Sequence, residues 1–206
     1  VLDDLPSMDD SDRRRGQPSC HAAFGEATAI LASTGLLFLC FETIGLTSKS
    51  AQFPAAALAS EFAGAGGSKV GLIAGQALDL WPNDPADTDE LSRRHLAKTG
   101  ALFGLACAVP AVLAGADPVR VDALRSTGAQ LGLAFQMVDD LRDVSASFAE
   151  LGRGPGADAR LGRRTYADTA APHFARKKAV ELANDCIGSL SHLTGAKASV
   201  TVTPVG

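Results

Sequence analysis

Apolar and small residues recur along most of the chain at the spacing of helices, and runs typical of strands are nearly absent. Clusters of glycine and proline divide this pattern. We predict helices over approximately these ranges: Ser19–Thr43, Gln52–Glu61, Ser68–Leu80, Asp87–Pro110, Asp117–Asp143 and Pro172–Leu193. The pattern indicates an all-α protein, and a length of 206 residues favours a single domain over residues 1–206.

Local signals mark several of the helix ends. Asp87 or Thr88 is suited to cap the helix that continues past Lys98, and Asp117-Pro118 has the order of an N-cap followed by a first helical residue. Pro110 predicts a kink or a stop, because proline removes a helical hydrogen bond. Three segments lack the helical pattern and are predicted to be non-helical: Trp81–Pro85, Gly152–Gly156 and Ser199–Val205.

Two stretches contain no charged residue, Ala27–Phe41 and Thr99–Ala116. Each is at or below the roughly 18 to 20 apolar residues that a membrane-spanning helix requires. Neither is flanked by the basic clusters typical of membrane proteins. We therefore predict buried core helices and no membrane span.

Composition and charge exclude some classes of protein. A formal net charge of -4 argues against a nucleic-acid coat protein, and an aromatic content of 5% argues against a platform for stacking bases. The four cysteines form no Cys-x-x-Cys pair, which indicates buried thiols in a reducing compartment. No signal peptide is visible, so we expect a cytoplasmic location.

An acidic motif, Asp-Asp-x-x-Asp, is formed by Asp139, Asp140 and Asp143. In a helix, Asp139 and Asp143 lie one turn apart on the same face, where their repulsion is relieved by a cation. Magnesium prefers carboxylate oxygens and shares its shell with water and phosphates. A solvated helix face is the ordinary alternative, but the uncharged residues 128–138 before the motif indicate a buried helix.

A second charged cluster lies near the start of the chain. Its residues are Asp3, Asp4, Asp9, Arg14 and Arg15. We expect the helix that carries the first two aspartates to end or kink at Pro6, leaving Asp9 in a loop. The ordinary interpretation is a solvated, disordered segment. The functional one is a site for a polyanion, since carboxylates hold metal ions and arginines bind phosphate oxygens.

Several ordered segments together resemble the trans-isoprenyl diphosphate synthases of the short-chain farnesyl or geranylgeranyl type. The matching segments are Asp3–Asp9 with Arg14–Gly16, Gly75–Leu80, Lys98–Leu102, Phe135–Asp143 and Gly162–Tyr166. The similarity extends from Asp3 to about Leu193. It implies an isoprenoid-synthase-like helical bundle around a central cavity.

The resemblance also implies roles for matching residues. Six aspartates would hold up to three magnesium ions with the substrate diphosphate: Asp3, Asp4, Asp9, Asp139, Asp140 and Asp143. Arg14 and Lys98 would bind the allylic diphosphate, and Arg15 the homoallylic one. Gln136 and the carbonyls near Lys98 and Thr99 would stabilise the allylic cation. Arg163 stands where the family has a phosphate-binding lysine.

The implied reaction joins an allylic diphosphate to isopentenyl diphosphate and yields farnesyl or geranylgeranyl diphosphate. It proceeds by metal-assisted ionisation and electrophilic alkylation. The family is dimeric through apolar helices, and a helix that is apolar on every face must be buried on every side. We therefore expect a homodimer.

The chain departs from the family at both ends. It begins at Val1, directly before the first motif, and Ser199–Gly206 does not resemble the family's last helix. We therefore expect the bundle to lack its N-terminal helices and its last helix. A non-catalytic partner subunit or truncated remnant remains an alternative. A terpene cyclase is disfavoured, because cyclases usually carry a different second metal motif.

Overall fold

Helices dominate the computed structural model, which describes residues 1–47, 54–80, 87–145, 165–169 and 172–195. A small antiparallel hairpin comes first, with strands β1 (Arg13–Arg14) and β2 (Gln17–Pro18). The helices are α1 (Cys20–Phe24), α2 (Glu26–Thr47), α3 (Ala55–Gly66), α4 (Leu72–Leu80), α5 (Thr88–His95), a π-helical turn (Leu96–Gly100), α6 (Ala101–Leu113), α7 (Pro118–Ser145), α8 (Tyr166–Thr169) and α9 (Pro172–Thr194). The predicted all-α class is confirmed. The segments predicted to be non-helical at residues 81–85, 152–156 and 199–205 lie outside the described residues.

The two predicted helix starts are confirmed by their caps. The Asp87 carboxylate accepts hydrogen bonds from the backbone N–H groups of Asp89 and Glu90, at 3.0 and 2.8 Å. The carboxylate of Asp117 accepts one from the backbone N–H of Arg120 at 3.0 Å, and Pro118 is the first residue of α7. Each carboxylate satisfies N–H groups that have no partner inside the helix.

The predicted first helix is in fact two. Gly25 separates α1 from α2 with a φ of 86°, a left-handed conformation that suits glycine. The second and third helices also differ from their predicted bounds, since α3 continues to Gly66 and α4 begins at Leu72. Pro110 does not stop α6, which continues to Leu113.

The long helix α7 lies at the centre and packs against α6, α9 and the π-helical turn. Two clusters of buried residues line it. One joins α6 to the first half of α7: Ala108, Ala111, Val121 and Leu124. The other joins the second half of α7 to α5, α8 and α9: Leu91, Leu133, Met137, Tyr166, Ala175 and Ala179. The second cluster lies next to the candidate site.

Glycines let the backbones of α6 and α7 come close together. A Cβ on Gly128 would lie 2.6 Å from the carbonyl oxygen of Phe103, and one on Gly132 would lie 2.8 Å from the Cα of Gly100. A Cβ on Gly104 would likewise lie 2.9 Å from the carbonyl oxygen of Arg125. These distances are shorter than any side chain tolerates without moving a backbone. The helix pair therefore depends on residues without a side chain.

Helix α2 is largely uncovered, so the prediction of a buried core helix over Ala27–Phe41 is wrong within one chain. Among the described elements it packs mainly against α1 and α3. Eight large apolar side chains on it are exposed: Ile30, Leu31, Leu36, Leu37, Phe38, Leu39, Phe41 and Leu46. Within the described residues, Glu26–Leu46 and Thr88–Leu113 are long and apolar enough to cross a membrane. That is weak evidence, because core helices of soluble proteins meet the same criterion.

We predict that Gly128→Val lowers the free energy of unfolding by about 1 to 3 kcal/mol, since the larger side chain forces α6 away from α7. Denaturant unfolding followed by circular dichroism measures the change. Gly188→Ala in α9 is the matched control, because nothing lies within 4 Å of its added methyl group. The control should be neutral or stabilising by up to about 1 kcal/mol. Equal stability in wild type and Gly128→Val would contradict the close packing.

Candidate active site

The first acidic segment is a series of turns. The backbone N–H of Asp9 donates to the carbonyl of Asp3 at 2.9 Å, and that of Ser11 donates to the carbonyl of Asp4 at 3.1 Å. The expectation that Asp3 and Asp4 end a helix is therefore wrong for the described chain, because the backbone folds back within the segment. This fold brings Asp9 close to Asp3.

Arg14 ties the hairpin to this acidic segment. Its Nε donates to both carboxylate oxygens of Asp4, at 2.7 and 2.9 Å, and its guanidinium lies 3.5 Å from the Asp3 carboxylate. Burial alone would lower the pKa of Arg14, but the hydrogen bond and charge of Asp4, together with Asp3 and Asp9, raise it overall. Arg15 lies at the exposed tip of the hairpin, with a φ of 53°. Arg14 is thus a fixed cation within the acidic segment.

Lys98 and Thr99 lie on the π-helical turn between α5 and α6. π-Helical turns are rare and occur frequently at functional sites. Helix α4 crosses this turn at Gly75, where an added Cβ would lie 2.2 Å from the backbone nitrogen of Lys98. Glycine at this position therefore allows α4 to touch the backbone of the turn.

The side chain of Lys98 connects α4 to the first acidic segment. Its Nζ donates to the Asp79 carboxylate at 2.6 Å, and both side chains are more than four-fifths buried. Burial alone would lower the pKa of Lys98, but the charges of Asp79, Asp3 and Asp9 raise it overall. Lys98 therefore stays charged within electrostatic reach of the first acidic segment. Gln76, also on α4, adds a contact from its Nε2 to the Sδ of Met8 at 3.7 Å.

Thr99, the next residue, connects to the second acidic motif. Its hydroxyl donates to the Gln136 Oε1 at 2.8 Å. The Gln136 Nε2 donates to one oxygen of Asp140 at 2.9 Å, and the backbone N–H of Tyr166 donates to the other at 3.0 Å. Both oxygens of Asp140 are therefore occupied by protein donors.

The three aspartates of the second motif differ in exposure. Asp140 and Asp143 are each 2% exposed, whereas Asp139 is only partly buried. The spacing of Asp139 and Asp143 predicts that they share one face of the helix, but Asp139 is more exposed than Asp143. The neighbouring helices cover the face that holds Asp140 and Asp143, and they leave Asp139 more accessible.

These carboxylates fit magnesium that shares its shell with a substrate, and they do not form a cage of protein ligands. Within the described residues, no three His, Cys, Asp or Glu side chains converge closely enough to hold a metal ion. Asp4 and Asp140 already accept hydrogen bonds at both oxygens. Asp3 is 41% exposed, and Asp139 is partly exposed. Magnesium commonly combines one or two such carboxylates with water and phosphate oxygens.

His95 is buried directly before the π-helical turn that carries Lys98. Its ring meets the Tyr166 ring edge-on, with centroids 5.4 Å apart, and its buried Nδ1 has no hydrogen-bond partner among the described residues. Burial, with smaller contributions from Lys98 and Arg94, lowers the pKa of His95 from 6.5 to about 4 despite the attraction of Asp79. His95 is therefore neutral at neutral pH.

The structure brings most of the predicted site residues onto neighbouring elements. Arg163 lies outside the described residues. Sequence reasoning did not assign a role to four residues that bind or pack against the site: Asp79, Ser92, His95 and Tyr166. Asp79 and Tyr166 stand inside segments that carried the resemblance, so their signal was present, but their partners are distant in sequence. The hairpin that holds Arg14 was also missed.

An all-helical core that holds two acidic motifs on either side of a lysine–threonine turn defines an isoprenoid-synthase fold. A sequence model of the family described as polyprenyl synthetase matches residues 1–200. The chain therefore belongs to the polyprenyl synthetase family, and the resemblance to trans-isoprenyl diphosphate synthases is confirmed.

Individual relatives agree with this assignment. The chain is 42% identical over 201 residues to the farnesyl diphosphate synthase of Escherichia coli (strain K12), covering 94% of this chain and 66% of that protein. It is 37% identical to geranylgeranyl pyrophosphate synthase 11, chloroplastic, of Arabidopsis thaliana, covering 98% of this chain and 58% of that protein. The chain thus spans about three-fifths of the length of these relatives.

A solved structure gives the same result for the fold. The geranyltransferase from Helicobacter pylori complexed with magnesium and isoprenyl diphosphate superposes with a TM-score of 0.83 at 29% identity. The match covers 95% of this chain and 64% of that chain. The magnesium and the isoprenyl diphosphate belong to that protein.

We predict that stability falls as the pH drops from 6.5 to 4, and that His95 contributes up to about 3 kcal/mol of this loss. The unfolded chain binds a proton on His95 below pH 6.5, whereas the folded chain resists protonation until about pH 4. Denaturant unfolding across this range, in wild type and His95→Gln, measures the difference in slope. Parallel pH profiles for the two proteins would contradict the burial of a neutral His95.

Proposed function

We propose that the protein acts as a short-chain prenyltransferase. It condenses an allylic diphosphate with isopentenyl diphosphate and forms farnesyl or geranylgeranyl diphosphate. The activities in the names of the relatives support this substrate class. The family and the fold support the enzyme class.

A single observation carries the proposal. Two consecutive residues on the π-helical turn point to opposite acidic motifs, since Lys98 lies in the field of Asp3 and Asp9 while Thr99 binds Gln136, which binds Asp140. A diphosphate needs cations to balance its charge, and the prenyl cation that forms when the diphosphate leaves needs polar oxygens nearby. Neighbouring residues on one turn provide both.

In this proposal the carboxylates divide into two groups. Asp3, Asp9 and Asp139 would hold magnesium together with the diphosphate, whereas Asp4, Asp140 and Asp143 would support them. The hydrogen bonds that already occupy Asp4 and Asp140 favour this division. When bound, magnesium would neutralise charge that develops on the leaving diphosphate.

The chain's own residues would assist in two ways. Arg14 and Lys98 would bind the allylic diphosphate, and Arg15 and Arg163 would contribute further positive charge to the substrates. The oxygens of Gln136 and Thr99 and the backbone carbonyls of the π-helical turn would face the allylic cation. The carbon–oxygen bond to diphosphate breaks, a carbon–carbon bond to the second substrate forms, and the departing diphosphate takes the final proton.

The buried surroundings favour this chemistry over hydrolysis. Lys98 and Asp79 are more than four-fifths buried, and Met137 and Leu91 close the core behind the second motif. A dry site strengthens each electrostatic interaction and keeps water from the cation.

We propose that this chemistry takes place in the cytoplasm.

We predict that magnesium and an inert allylic diphosphate analogue bind together, with little binding in EDTA. Asp139→Ala should weaken turnover of labelled isopentenyl diphosphate by roughly 10- to 100-fold, because one magnesium loses a protein oxygen. Asp185→Ala on the exposed face of α9 is the matched control and should match wild type. Isothermal titration and product chromatography provide the measurements.

The outcomes separate the rival functions. Equal analogue binding in EDTA would reject the magnesium site. Magnesium-dependent binding without any product would favour a non-catalytic partner subunit or remnant. Cyclic hydrocarbons formed from the allylic substrate alone would favour a terpene cyclase.

We also propose that the protein forms a homodimer. Helix α2 leaves eight large apolar side chains uncovered within one chain, and large contiguous apolar patches are uncommon on monomeric proteins. A two-fold axis next to α2 would place this surface against the same surface of a second subunit, because such an interface uses the same patch on both subunits.

We predict a dimer in light scattering at micromolar concentration. A charge in the middle of α2, Phe38→Asp, should shift the protein towards monomer, since a charged carboxylate does not enter an apolar interface without a partner. Glu42→Ala, on the same helix and already exposed, should leave the dimer intact. A wild-type protein that remains a well-behaved monomer would contradict this assignment.

A further inference from the structure

Tyr166, the only tyrosine in the sequence, lies where α5, α7 and α8 meet. It is 2% exposed. Its backbone N–H donates to the Oδ2 of Asp140 at 3.0 Å, and its hydroxyl shares a hydrogen bond with the hydroxyl of Ser92 on α5. One buried residue thus contacts the second acidic motif through its backbone and α5 through its side chain.

The turn that carries Tyr166 is braced from within. The carboxylate of Asp168 accepts hydrogen bonds from the backbone N–H of Thr165 at 2.9 Å and from its hydroxyl at 2.8 Å. A side chain at the third helical position that reaches back to the cap residue is the geometry of a capping box. The brace holds the Tyr166 N–H in a defined direction.

The contacts of Tyr166 close a ring of hydrogen bonds and backbone that links Asp140 to the π-helical turn and α5. The remaining oxygen of Asp140 accepts from Gln136, whose own oxygen accepts from Thr99. The chain then returns along the π-helical turn and α5 from Thr99 to Ser92, which binds Tyr166. A carboxylate only accepts hydrogen bonds, so this order fixes which end of the Gln136 amide faces Thr99.

Packing alone accounts for the ring of Tyr166 but not for its hydroxyl. The ring belongs to the apolar cluster with Met137 and Ala175 and meets the ring of His95 edge-on. A phenylalanine would fill the same space. A buried hydroxyl is unfavourable unless it is hydrogen-bonded, and here its partner lies on the helix that leads into the π-helical turn.

We propose that Tyr166 is a positioning residue, whose hydroxyl bond to Ser92 holds Asp140 and, through it, Gln136 in the orientation that the site requires. Its role in the reaction rests on the proposed function, whereas its effect on Asp140 does not. In this role Tyr166 acts through the Asp140 carboxylate that its backbone binds, not by contact with substrate or metal.

The first test needs no ligand. Tyrosine labelled with heavy nitrogen yields a single amide resonance from this chain, and that resonance belongs to Tyr166. We expect slow hydrogen exchange at this amide in wild type and exchange roughly tenfold faster or more in Ser92→Ala, since the turn loses its anchor. Ser33→Ala, which removes a buried hydroxyl from α2, is the control and should leave the rate unchanged.

The second test uses magnesium and an inert allylic diphosphate analogue. Tyr166→Phe and Ser92→Ala should each raise the magnesium concentration for half-maximal binding by roughly 3- to 10-fold, the effect of one buried hydrogen bond acting through Asp140, which supports the carboxylates that would hold magnesium. The double variant should be no worse than either single variant, because both remove the same interaction. Ser33→Ala should match wild type.

The outcomes are separable. An unchanged exchange rate in Ser92→Ala overturns the proposal, as does an unchanged magnesium requirement in Tyr166→Phe when wild type binds. A similar shift in Ser33→Ala would mean a general loss of stability and would also overturn it. If wild type fails to bind the analogue, the proposed function fails, and the exchange rate alone decides whether Tyr166 positions Asp140.

Discussion

Two backbone contacts on either side of the π-helical turn are the constraint on which the candidate site depends. A Cβ on Gly75 would lie 2.2 Å from the backbone nitrogen of Lys98, and one on Gly132 would lie 2.8 Å from the Cα of Gly100. Helices α4 and α7 therefore press directly on the turn. Because of this contact, Lys98 reaches Asp79 on α4 while Thr99 reaches Gln136 on α7.

The charges of the site follow from that packing. Burial opposes a charged lysine, but the carboxylate of Asp79 and the first acidic segment keep its pKa raised. Arg14 donates to both carboxylate oxygens of Asp4, and Gln136 and Tyr166 each donate to one oxygen of Asp140. The buried carboxylates of Asp4 and Asp140 thus have protein donors at both oxygens, and the more exposed Asp3 and Asp139 remain accessible to a ligand. In our proposal, the diphosphate and its magnesium ions bridge these two sides.

Sequence reasoning succeeded where the signal is local. The caps at Asp87 and Asp117 act within three residues of themselves, so they could be read directly from the sequence. The motifs that carry Lys98 and Gln136 were identified by resemblance. The π-helical turn, the contact at Gly75 and the bonds of Tyr166 depend on packing between segments distant in sequence. The break at Gly25 was missed because apolar residues continue on both sides of it.

The central claim is that Lys98 and Thr99 join the two acidic motifs into one diphosphate site. A crystal structure of the protein with magnesium and an inert allylic diphosphate analogue tests it most directly. Our account predicts the diphosphate between the first acidic segment and Asp139, with Lys98 and Arg14 on its oxygens and the prenyl chain beside Thr99 and Gln136. A diphosphate bound away from Lys98, or held by one acidic motif alone, would contradict it.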